Sequence, residues 1–566
     1  MSKYEDWDKK DLINYIKKLE KKKKFGLTWE HKNDEGPILF CKENLIVLEE
    51  DKKKKIISEK SNNFNLFIEG DNYYSLAVLN YAFEKKIDFI YIDPPYNTGG
   101  DWKYTNDYIN RDDPYIHTKW LSFMYERLRL SKNLLKDDGI ICVTIDNHEA
   151  PRLWLLLDEI FGSSNFLGEV IIRNNPASRN VDGKIALTHE FAFFYGKSSK
   201  SKIAKLPVHP EDKTHEYLQD SNGIWYSPTN LRKTGVDNFG VKKDGSIHHR
   251  HYPIYVDPNT KEISTSKKFK IEIYPVNVKG EKVIWRRAKE DIEEMYKKGE
   301  LWYNKTSFGD QIFYKFYGGT EGESPKSIWT EPEFSASEHG TPSLNNVLGK
   351  KSSFPFPKSP FAVERCIEIG CPNKDGIILD FFAGSGTTAH AVMNLNLKKK
   401  KNLKFIVCTN NENSIAEEDT YPRIRNVIKG GYEDRKGNKI EGYDTNLNYY
   451  RINSIKKNNT DQDKIKISKK LDEMIMMKEN TYNAIVEEKN YKIFNLEDKY
   501  TVIIYNFSAL EKVKEKLKKI KGKIKVYIFS LSNENFDEEF EEFPNIITES
   551  FPGTLLSMYK RLFINL

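Results

Sequence analysis

The chain has few cysteines, no long apolar run and no complete phosphate-binding loop. Its five cysteines among 566 residues are scattered and odd in number, so a disulfide framework is not expected. No apolar run approaches the ~20 residues that cross a bilayer, and the N-terminal sequence MSKYED offers no apolar signal core. These absences argue against a disulfide-stapled secreted domain or a membrane protein, and they predict a cytoplasmic protein with reduced thiols and no membrane partner.

The sequence also argues against a helicase or a complete restriction enzyme. The nearest imitation of a phosphate-binding loop, residues 235–240, is followed by Val-Lys-Lys rather than by Gly-Lys-Ser or Gly-Lys-Thr. Lys and Arg number 90 against 83 Asp and Glu, a net charge of +7. This modest surplus suits a polyanionic partner without identifying one.

The tetrad Asp93-Pro94-Pro95-Tyr96 ends an apolar run that starts at Ile87. The run predicts a short buried strand, and the two prolines predict that the chain turns away from it, because proline cannot donate to a strand ladder. Asp93 is therefore expected at the carboxyl end of a strand, where open α/β sheets bind ligands.

These residue types suit a grip on the exocyclic amino group of a base extruded from a duplex. The amine is a poor nucleophile because its lone pair is delocalised into the ring. A carboxylate that accepts one N–H and a main-chain carbonyl that accepts the other would draw the lone pair out of conjugation, mainly in the transition state. Tyr96 can stack on the extruded base, a contact worth roughly 1–3 kcal/mol. A proline turn with a capping aspartate is the alternative interpretation.

A second motif lies almost three hundred residues later. Residues 376–382 predict a strand, 383–386 a glycine-rich turn and 387–393 the helix that follows. Glycines allow a close approach of the backbone to a ligand, and a helix N-terminus suits a carboxylate. The spacing of Gly384, Gly386 and Ala389 also fits the dinucleotide pattern of NAD enzymes, a weak match when taken alone.

Together and in this order, the two motifs resemble the β class of S-adenosylmethionine-dependent amino-methyltransferases of DNA, and specifically the Mod subunit of type III restriction-modification systems. Further segments that resemble successive blocks of this family are 69–72, 97–99, 120–124 with Arg127, 139–146, 189–194, 356–360, 404–412 and 421–424.

The resemblance implies an α/β fold with a doubly wound, mostly parallel sheet, S-adenosylmethionine as the cofactor, and double-stranded DNA with a flipped adenine as the substrate. Asp93 and the carbonyl of Pro94 would hold the amino group, Tyr96 would stack on the base, and Pro95 completes the catalytic set. The cofactor-binding candidates are Asp71, Lys358, Asp380, Phe382, Ala383, Gly384, Ser385, Gly386, Thr387, Thr388, Asn411 and Glu412. Glu412 is the candidate for the ribose, but many members carry this acid closer to the strand, where the chain has Thr409 and Asn410, so a solvated loop acid stays open.

Residues 198–350 break the alternation of strands and helices and predict an inserted target-recognition domain. Clusters of cations and aromatic rings suit phosphate binding, guanine reading and base stacking. The DNA-binding candidates are Arg232, Lys233, His249, Arg250, Arg286 and Arg287, and a plain helix is predicted over 288–295. No metal site is expected, because no cysteine pair or carboxylate at ligand spacing accompanies the histidines at 248, 249 and 251.

The predicted organisation has five parts. They are an N-terminal helical segment (1–60, with an amphipathic helix over 8–24), a catalytic half (61–197), the insert (198–350), a cofactor half (351–435) and a small C-terminal α/β domain for dimerisation or docking (445–566). One sheet must contain both halves, because the methyl carbon and the acceptor nitrogen have to meet. The resemblance also implies a homodimer and leaves a restriction subunit with nuclease or translocase activity as an open partner.

Several alternatives remain beside an N6-adenine methyltransferase with a restriction partner. They are a solitary enzyme without a nuclease, a cytosine-N4 methyltransferase, which uses a related tetrad usually opening with Ser, and a non-catalytic DNA-binding module. A dehydrogenase gives no reason for the Asp-Pro-Pro-Tyr tetrad. A cytosine-C5 enzyme needs a thiolate, usually in a Pro-Cys pair, and the chain has no such pair.

Overall fold

The computed structural model describes most of the chain in two units. The described residues are 13, 35–58, 64–98, 102–104, 107–109, 113–178, 185–206, 218–222, 225–233, 240–242, 244–277, 279–307, 309–317, 323–434, 437–456, 465, 467–468, 470–531 and 536–564. Unit 1 comprises residues 1–203 with 326–566, and unit 2 comprises 204–325. Apart from residue 13, the helix predicted over 8–24 lies outside the described residues, and so does the stretch 235–239.

Among its described residues, the first part of unit 1 contributes eight strands and four α-helices. The strands are β1 (Asn44–Glu50), β2 (Leu66–Glu69), β3 (Ile87–Ile92), β4 (Trp102–Tyr104), β5 (Asp107–Ile109), β6 (Leu135–Ile145), β7 (Phe166–Ile172) and β8 (Glu190–Gly196). The helices are α1 (Glu35–Glu43), α2 (Asn72–Ala82), α3 (Ile116–Leu134) and α4 (Ala150–Phe161).

Unit 2 consists of short antiparallel strands and one helix around its own core. The elements are β9 (Leu218–Gln219), β10 (Trp225–Asn230), β11 (Arg232–Lys233), β12 (Ile254–Val256), β13 (Ile263–Ser264), β14 (Ile271–Ile273), β15 (Ile284–Trp285), α5 (Lys289–Lys297), β16 (Leu301–Thr306) and β17 (Gly309–Phe316). Helix α5 matches the one predicted over 288–295. Trp285 and Tyr252 are buried in the core of this unit.

The second part of unit 1 completes the main sheet and adds a C-terminal sheet. Its strands are β18 (Ile328–Trp329), β19 (Ile377–Asp380), β20 (Lys404–Thr409), β21 (Gly430–Glu433), β22 (Lys439–Glu441), β23 (Asn448–Lys456), β24 (Asn483–Glu487), β25 (Tyr491–Leu496), β26 (Lys499–Ile504), β27 (Lys523–Phe529) and β28 (Ile546–Phe551). Its helices are α6 (Thr341–Leu348), α7 (Pro360–Gly370), α8 (Thr387–Lys399), α9 (Tyr421–Lys429), α10 (Asp472–Glu479), α11 (Leu510–Leu517) and α12 (Gly553–Tyr559).

The main sheet has ten strands in the order β1-β23-β2-β20-β19-β3-β6-β8-β7-β18. The six central strands from β23 to β6 run parallel, whereas β1 and β8 are antiparallel to their inner neighbours. All six residues of β3 are buried, as a parallel strand covered on both faces requires. Each buried isoleucine or phenylalanine contributes about 1.5–3 kcal/mol. The predicted doubly wound α/β fold is confirmed.

Strands β3 and β19 are neighbours although they lie far apart in the sequence. Ile378 pairs with Phe89, and Leu379 pairs with Ile90. The chain leaves β3 through α3 toward β6 on one side and leaves β19 through α8 toward β20 on the other. The two carboxyl ends therefore flank a topological switch point, which is where open parallel sheets form their ligand crevice.

Three segments lie in the main sheet although the predicted domain limits place them elsewhere. Strand β1, within the predicted N-terminal segment, pairs with β23, and β23, within the predicted C-terminal domain, also pairs with β2. Residues 328–329, within the predicted insert, pair with β7. Strands β23 and β18 were missed because β23 is interrupted by polar residues and β18 is only two residues long, so neither shows the hydrophobic periodicity of a strand.

The C-terminal sheet has the order β24-β25-β26-β27-β28. Strands β26 and β27, with helix α11 between them in the sequence, form its central α/β part. Phe494, Tyr527 and Phe551 share one hydrophobic cluster with α2 and the main sheet. Within unit 1 this sheet therefore packs directly against α2 and the main sheet.

Candidate active site

The tetrad leaves the main sheet directly after β3. Asp93 is the first residue beyond the strand, and its side chain is 27% exposed. The indole N–H of Trp120 on α3 donates to the carbonyl of Pro95 at 2.7 Å. Because both prolines lack an N–H and this carbonyl is already bonded, the backbone of the turn is held in one place, and the carbonyl of Pro94 has a fixed direction.

The carboxylate of Asp93 is anchored through one oxygen. The hydroxyl of Thr144 on β6 donates to Oδ1 at 2.8 Å, and the ammonium of Lys358 lies 3.2 Å from the same oxygen. Thr144 also donates to the carbonyl of Ile92. Two neighbouring strands and the segment before α7 therefore converge on this single carboxylate.

A buried network links Lys358 to Tyr96 through Glu190. Oε2 of Glu190, whose side chain is 2% exposed, lies 2.6 Å from the Lys358 ammonium and accepts hydrogen bonds from the Tyr96 hydroxyl at 3.0 Å and the Asn174 amide at 2.7 Å. Lys358 also donates to the Tyr96 hydroxyl. Burial lowers the pKa of Lys358, but the carboxylates of Asp93 and Glu190 outweigh that effect and raise it above its ordinary value. Lys358 is therefore a charged member of the tetrad's surroundings.

The residue after the tetrad is held by a second glutamate. Asn97 is buried with a left-handed backbone (φ 58°), and its amide donates to Oε1 of Glu149 at 2.6 Å. His117 contacts the same carboxylate, which is completely buried. This cluster holds Asn97, where the chain leaves the tetrad, whereas Trp120 and Lys358 hold the tetrad itself.

The glycine turn between β19 and α8 needs its glycines for conformation and for space. Gly384 and Gly386 have φ values of +48° and +76°, which residues with a Cβ rarely adopt. A Cβ on Gly384 would lie 2.8 Å from the ring of Phe354. The N–H of Ala383 donates to the carbonyl of Cys408 at 3.1 Å, so the turn sits at the carboxyl ends of β19 and β20 together.

Asp380 fastens the start of this turn. Its Oδ1 accepts from the N–H of Phe382 at 2.9 Å, and its Oδ2 accepts from the Thr388 hydroxyl at 2.5 Å. Burial raises the pKa of Asp380 to about 7 despite these two hydrogen bonds. Both carboxylate oxygens are thus engaged within the protein, which gives this candidate a role in shaping the turn.

Arg423 on α9 fastens the turn from the other side. Its guanidinium donates to the Thr387 hydroxyl at 2.8 Å and to the hydroxyl and carbonyl of Ser385 at 3.1 and 3.3 Å. Burial lowers its pKa to about 9. It also contacts His390, whose pKa is lowered well below its usual range by burial and by this guanidinium. Ser385 and Thr387 therefore face the protein interior as well as lining the turn.

The remaining cofactor candidates lie along the same edge of the sheet. Asp71 follows β2, caps α2 by accepting from the N–H of Tyr73 at 2.7 Å, and lies 3.6 Å from the guanidinium of Arg127. Asn411 and Glu412 follow β20 in a short 3₁₀ turn, where Asn411 accepts from the N–H of Glu417. The structure thus brings all the cofactor candidates to the carboxyl edge of β2, β20 and β19, with Lys358 displaced toward the tetrad.

The DNA-binding candidates in unit 2 fall into two groups. Lys233, His249 and Arg287 are exposed. Arg232 donates to the carbonyl of Val276 at 2.7 Å, Arg286 donates to the carbonyl of Asn230 at 3.1 Å, and Nε of Arg250 is buried. The first group is open to solvent and can reach a phosphate, whereas Arg232 and Arg286 are bonded to backbone carbonyls and Arg250 is half-buried.

Sequence reasoning missed the roles of Thr144, Glu190, Trp120 and Arg423. The available signal was their position in the segments 139–146, 189–194, 120–124 and 421–424, which resemble blocks of the family. Within the described ranges, no group of three or more His, Cys, Asp or Glu residues has the arrangement of a metal site. Likewise, none of the described helices is both long and apolar enough to span a membrane.

Known proteins resemble this chain over most of its length. A family model described as DNA methylase matches residues 87–453. The chain is 31% identical to the Mod subunit of the type III restriction-modification enzyme EcoPI of Escherichia phage P1, over 68% of this chain and 62% of that protein. It is also 31% identical to the type II methyltransferase M.KpnI of Klebsiella pneumoniae, over 69% of this chain and 94% of that protein.

Two further similarities are weaker. The Mod subunit of EcoP15I from Escherichia coli is 28% identical over 70% of this chain and 67% of its own length. The crystal structure of an M1.HpyAVI–SAM complex overlaps 64% of this chain and 98% of its own at 14% identity, with a TM-score of 0.28, which is too low to bear on the fold. The chain therefore spans less than two thirds of the EcoPI relative and nearly all of M.KpnI.

Proposed function

This chain belongs to the DNA methylase family, and we propose that it transfers a methyl group from S-adenosylmethionine to the N6 amino group of adenine in DNA. The observation that carries the proposal is the adjacency of β3 and β19, which puts Asp93 and the glycine turn at the same crevice. Methyl transfer requires that the amino group held by the carboxylate lies next to the methyl group of the cofactor held by the turn.

The residues at the crevice fit S-adenosylmethionine. The left-handed glycines leave room beside Phe354, and the N-terminus of α8 suits the methionine carboxylate. Asp71, Asn411 and Glu412 follow the adjacent strands and supply acceptors for the amino group and the ribose hydroxyls. When bound, the cofactor supplies an electrophilic methyl carbon on a sulfonium.

The chain's own residues prepare the acceptor nitrogen. Asp93 accepts one N–H of the flipped adenine, the carbonyl of Pro94 accepts the other, and Tyr96 stacks on the ring. Accepting both hydrogens favours a tetrahedral nitrogen, so the stabilisation grows as the reaction proceeds. A tetrad that opens with Asp favours adenine over cytosine N4.

We further propose that the protein acts as a modification subunit in the cytoplasm, as a homodimer, with its exposed cations in unit 2 on DNA. Relatives named type III Mod subunits support a restriction partner, whereas the name of M.KpnI, a type II methyltransferase, mentions no subunit. A solitary enzyme is the alternative. Copurification with candidate nuclease subunits distinguishes the two.

Transfer of labelled methyl groups to DNA tests the proposal. Replacing Asp93 with Asn or Ala should lower turnover at least about 10²–10³-fold, the usual effect of losing one transition-state hydrogen bond, while DNA binding measured by fluorescence anisotropy stays unchanged. Asp375→Asn, the same change at the opposite edge of the sheet, is the matched control.

Two outcomes would count against the proposal. Near-normal turnover of the Asp93 variants would remove the tetrad from the chemistry, and DNA binding by a wild-type protein that transfers no methyl groups would favour a non-catalytic module. Single-molecule sequencing of DNA from expressing cells separates N6-methyladenine from N4-methylcytosine.

A further inference from the structure

We propose that Lys358 and Glu190 form an ion pair whose task is to hold the carboxylate of Asp93 charged and fixed by one oxygen, so that its other oxygen meets the substrate amino group. The inference rests on the proposed methyl transfer. It assigns Lys358 and Glu190 as positioning residues that act through Asp93.

The ion pair is built into the protein interior. The Lys358 and Glu190 side chains are 11% and 2% exposed, and their charged atoms lie 2.6 Å apart. Glu190 is immobilised by two further donors, the Asn174 amide and the Tyr96 hydroxyl. A buried lysine held this way has one geometry rather than many rotamers, unlike an exposed surface pair.

The ion pair also fixes the direction of Asp93. Lys358 and Thr144 both approach Oδ1, from the segment before α7 and from β6. Two donors on one oxygen restrict the torsion of the carboxylate, and the proposal assigns its other oxygen, Oδ2, to the substrate. An amino group that approaches Oδ2 finds an acceptor that is already oriented, which is the condition for transition-state stabilisation without reorganisation.

The charges around Asp93 make the lysine necessary. Asp93 and Glu190 share one ammonium, and Asp380 on β19 adds a third acid nearby. Tyr91 on β3, Tyr96 and Cys142 on β6 also face Asp93, and their pKa values are raised well above the ordinary range, chiefly by burial, so they remain neutral. Without Lys358, two carboxylates would share a poorly hydrated site, and one would take up a proton.

The net charge of the trio favours the reaction. Two carboxylates and one ammonium leave one negative charge beside the amino nitrogen, which becomes positive as it gains a methyl group. Protonation of Asp93 would remove that charge and also the acceptor. Lys358 therefore balances one of the two carboxylates and leaves the negative charge of the other at the site.

Three variants separate this electrostatic role from a packing role. Lys358→Met keeps the apolar stem and removes the cation. Glu190→Gln keeps the hydrogen-bonding shape and removes one negative charge. The double variant removes both charges and leaves Asp93 as the only ion of the trio. Lys398→Met is the matched control, because Lys398 also pairs with a glutamate, Glu364, at 2.6 Å but away from the tetrad.

The readout is kcat/KM for methyl transfer as a function of pH. In Lys358→Met the acidic limb should move up by about 1–3 pH units, with about a tenfold loss per unit at a fixed pH below the limb. Activity should recover as the pH is raised. The double variant should move the limb back toward the wild type, and Lys398→Met should leave it unchanged.

Thermal unfolding against pH supplies a readout that does not depend on turnover. A carboxyl whose folded-state pKa is raised contributes stability that is lost as the pH rises through that pKa. The unfolding midpoint of Lys358→Met should therefore fall between about pH 5 and 8 relative to the wild type, and the Glu190→Gln substitution should cancel the fall. Asp380 titrates in the same pH range and its pKa responds to the charge of Asp93, so the comparison is made with Asp380→Asn in every protein of the series.

The outcomes are distinguishable. A uniform loss of activity at all pH values, with no rescue in the double variant, would overturn the ion-pair proposal and leave a packing role. An inactive wild type would refute the proposed function instead, and the unfolding midpoints would then decide the inference alone: the pH-dependent fall and its cancellation would support it, and parallel midpoints would overturn it.

Discussion

Replacing Asp380 with asparagine should make the stability of the glycine turn against local opening independent of pH. The pKa of Asp380 rises from an ordinary 3.8 to about 7 because burial outweighs its two hydrogen bonds. A difference of about three pKa units at 1.36 kcal/mol per unit corresponds to about 4 kcal/mol. Since the folded-state pKa is the higher one, this stability is fully present below about pH 4 and is lost as the pH rises to about 7.

Hydrogen exchange of the segment 377–390 is the suitable assay. Exchange reports the local opening of this segment, whereas a global unfolding free energy would average over the two units of the described chain. Between pH 5 and 8 the opening free energy of the wild type, corrected for intrinsic exchange rates, should fall by roughly 2–3 kcal/mol. In Asp380→Asn it should stay level, because the amide can still accept from Phe382 and donate to Thr388.

A second variant tests the hydrogen bond that lowers the pKa of Asp380. The Thr388 hydroxyl lowers the pKa of Asp380, so Thr388→Val should move the midpoint of the fall to higher pH. Wild-type protection that rises with pH would refute the reasoning, since it would mean that the two hydrogen bonds outweigh burial. Equal slopes in the wild type and Asp380→Asn would assign the effect to another group.

Two further predictions concern the cofactor turn and the DNA-binding cations. Gly384→Ala should weaken S-adenosylmethionine binding, measured by calorimetry, at least tenfold. Gly349 has a similar backbone (φ +66°) and open space around a Cβ, so Gly349→Ala should leave the binding unchanged. Equal effects of the two substitutions would mean that backbone strain alone matters. The double variant Lys233→Glu with Arg287→Glu should weaken DNA binding and reduce the slope of the logarithm of the DNA-binding constant against log salt by about 2 or more. The single charge reversal Lys297→Glu, the control, should reduce this slope less. An unchanged slope in the double variant would remove both side chains from the DNA interface.

Much of the architecture follows from short-range sequence signals. The apolar runs of β3 and β19 and the glycine turn predict a parallel sheet, and the need for two ligands to meet predicts that Asp93 faces the turn. The sequence could not show that Lys358 lies against Asp93 rather than deeper in the cofactor pocket. That contact depends on how the segment before α7 crosses between strands, which local patterns do not encode.

Side-chain burial accounts for the other differences. Trp285 and Tyr252, which lie beside the predicted DNA-binding residues Arg286 and Arg250 in the sequence, are buried in unit 2, because a small antiparallel unit needs large aromatic residues for its core. Strand β23 was hidden in polar sequence, since only its first three residues are buried. In both cases the amino-acid type could be read from the sequence, whereas the burial of the residue depends on contacts with residues far away in the chain.

The pairing of β3 with β19 has a consequence for biosynthesis. When residues 1–350 have left the ribosome, β3 still lacks one neighbour, and β2 lacks both β20 and β23. Exposed apolar strand edges of this kind invite association between nascent chains, and sheets closed by such remote contacts form slowly. Production of this protein should therefore depend on chaperones and on low temperature more than its final packing suggests.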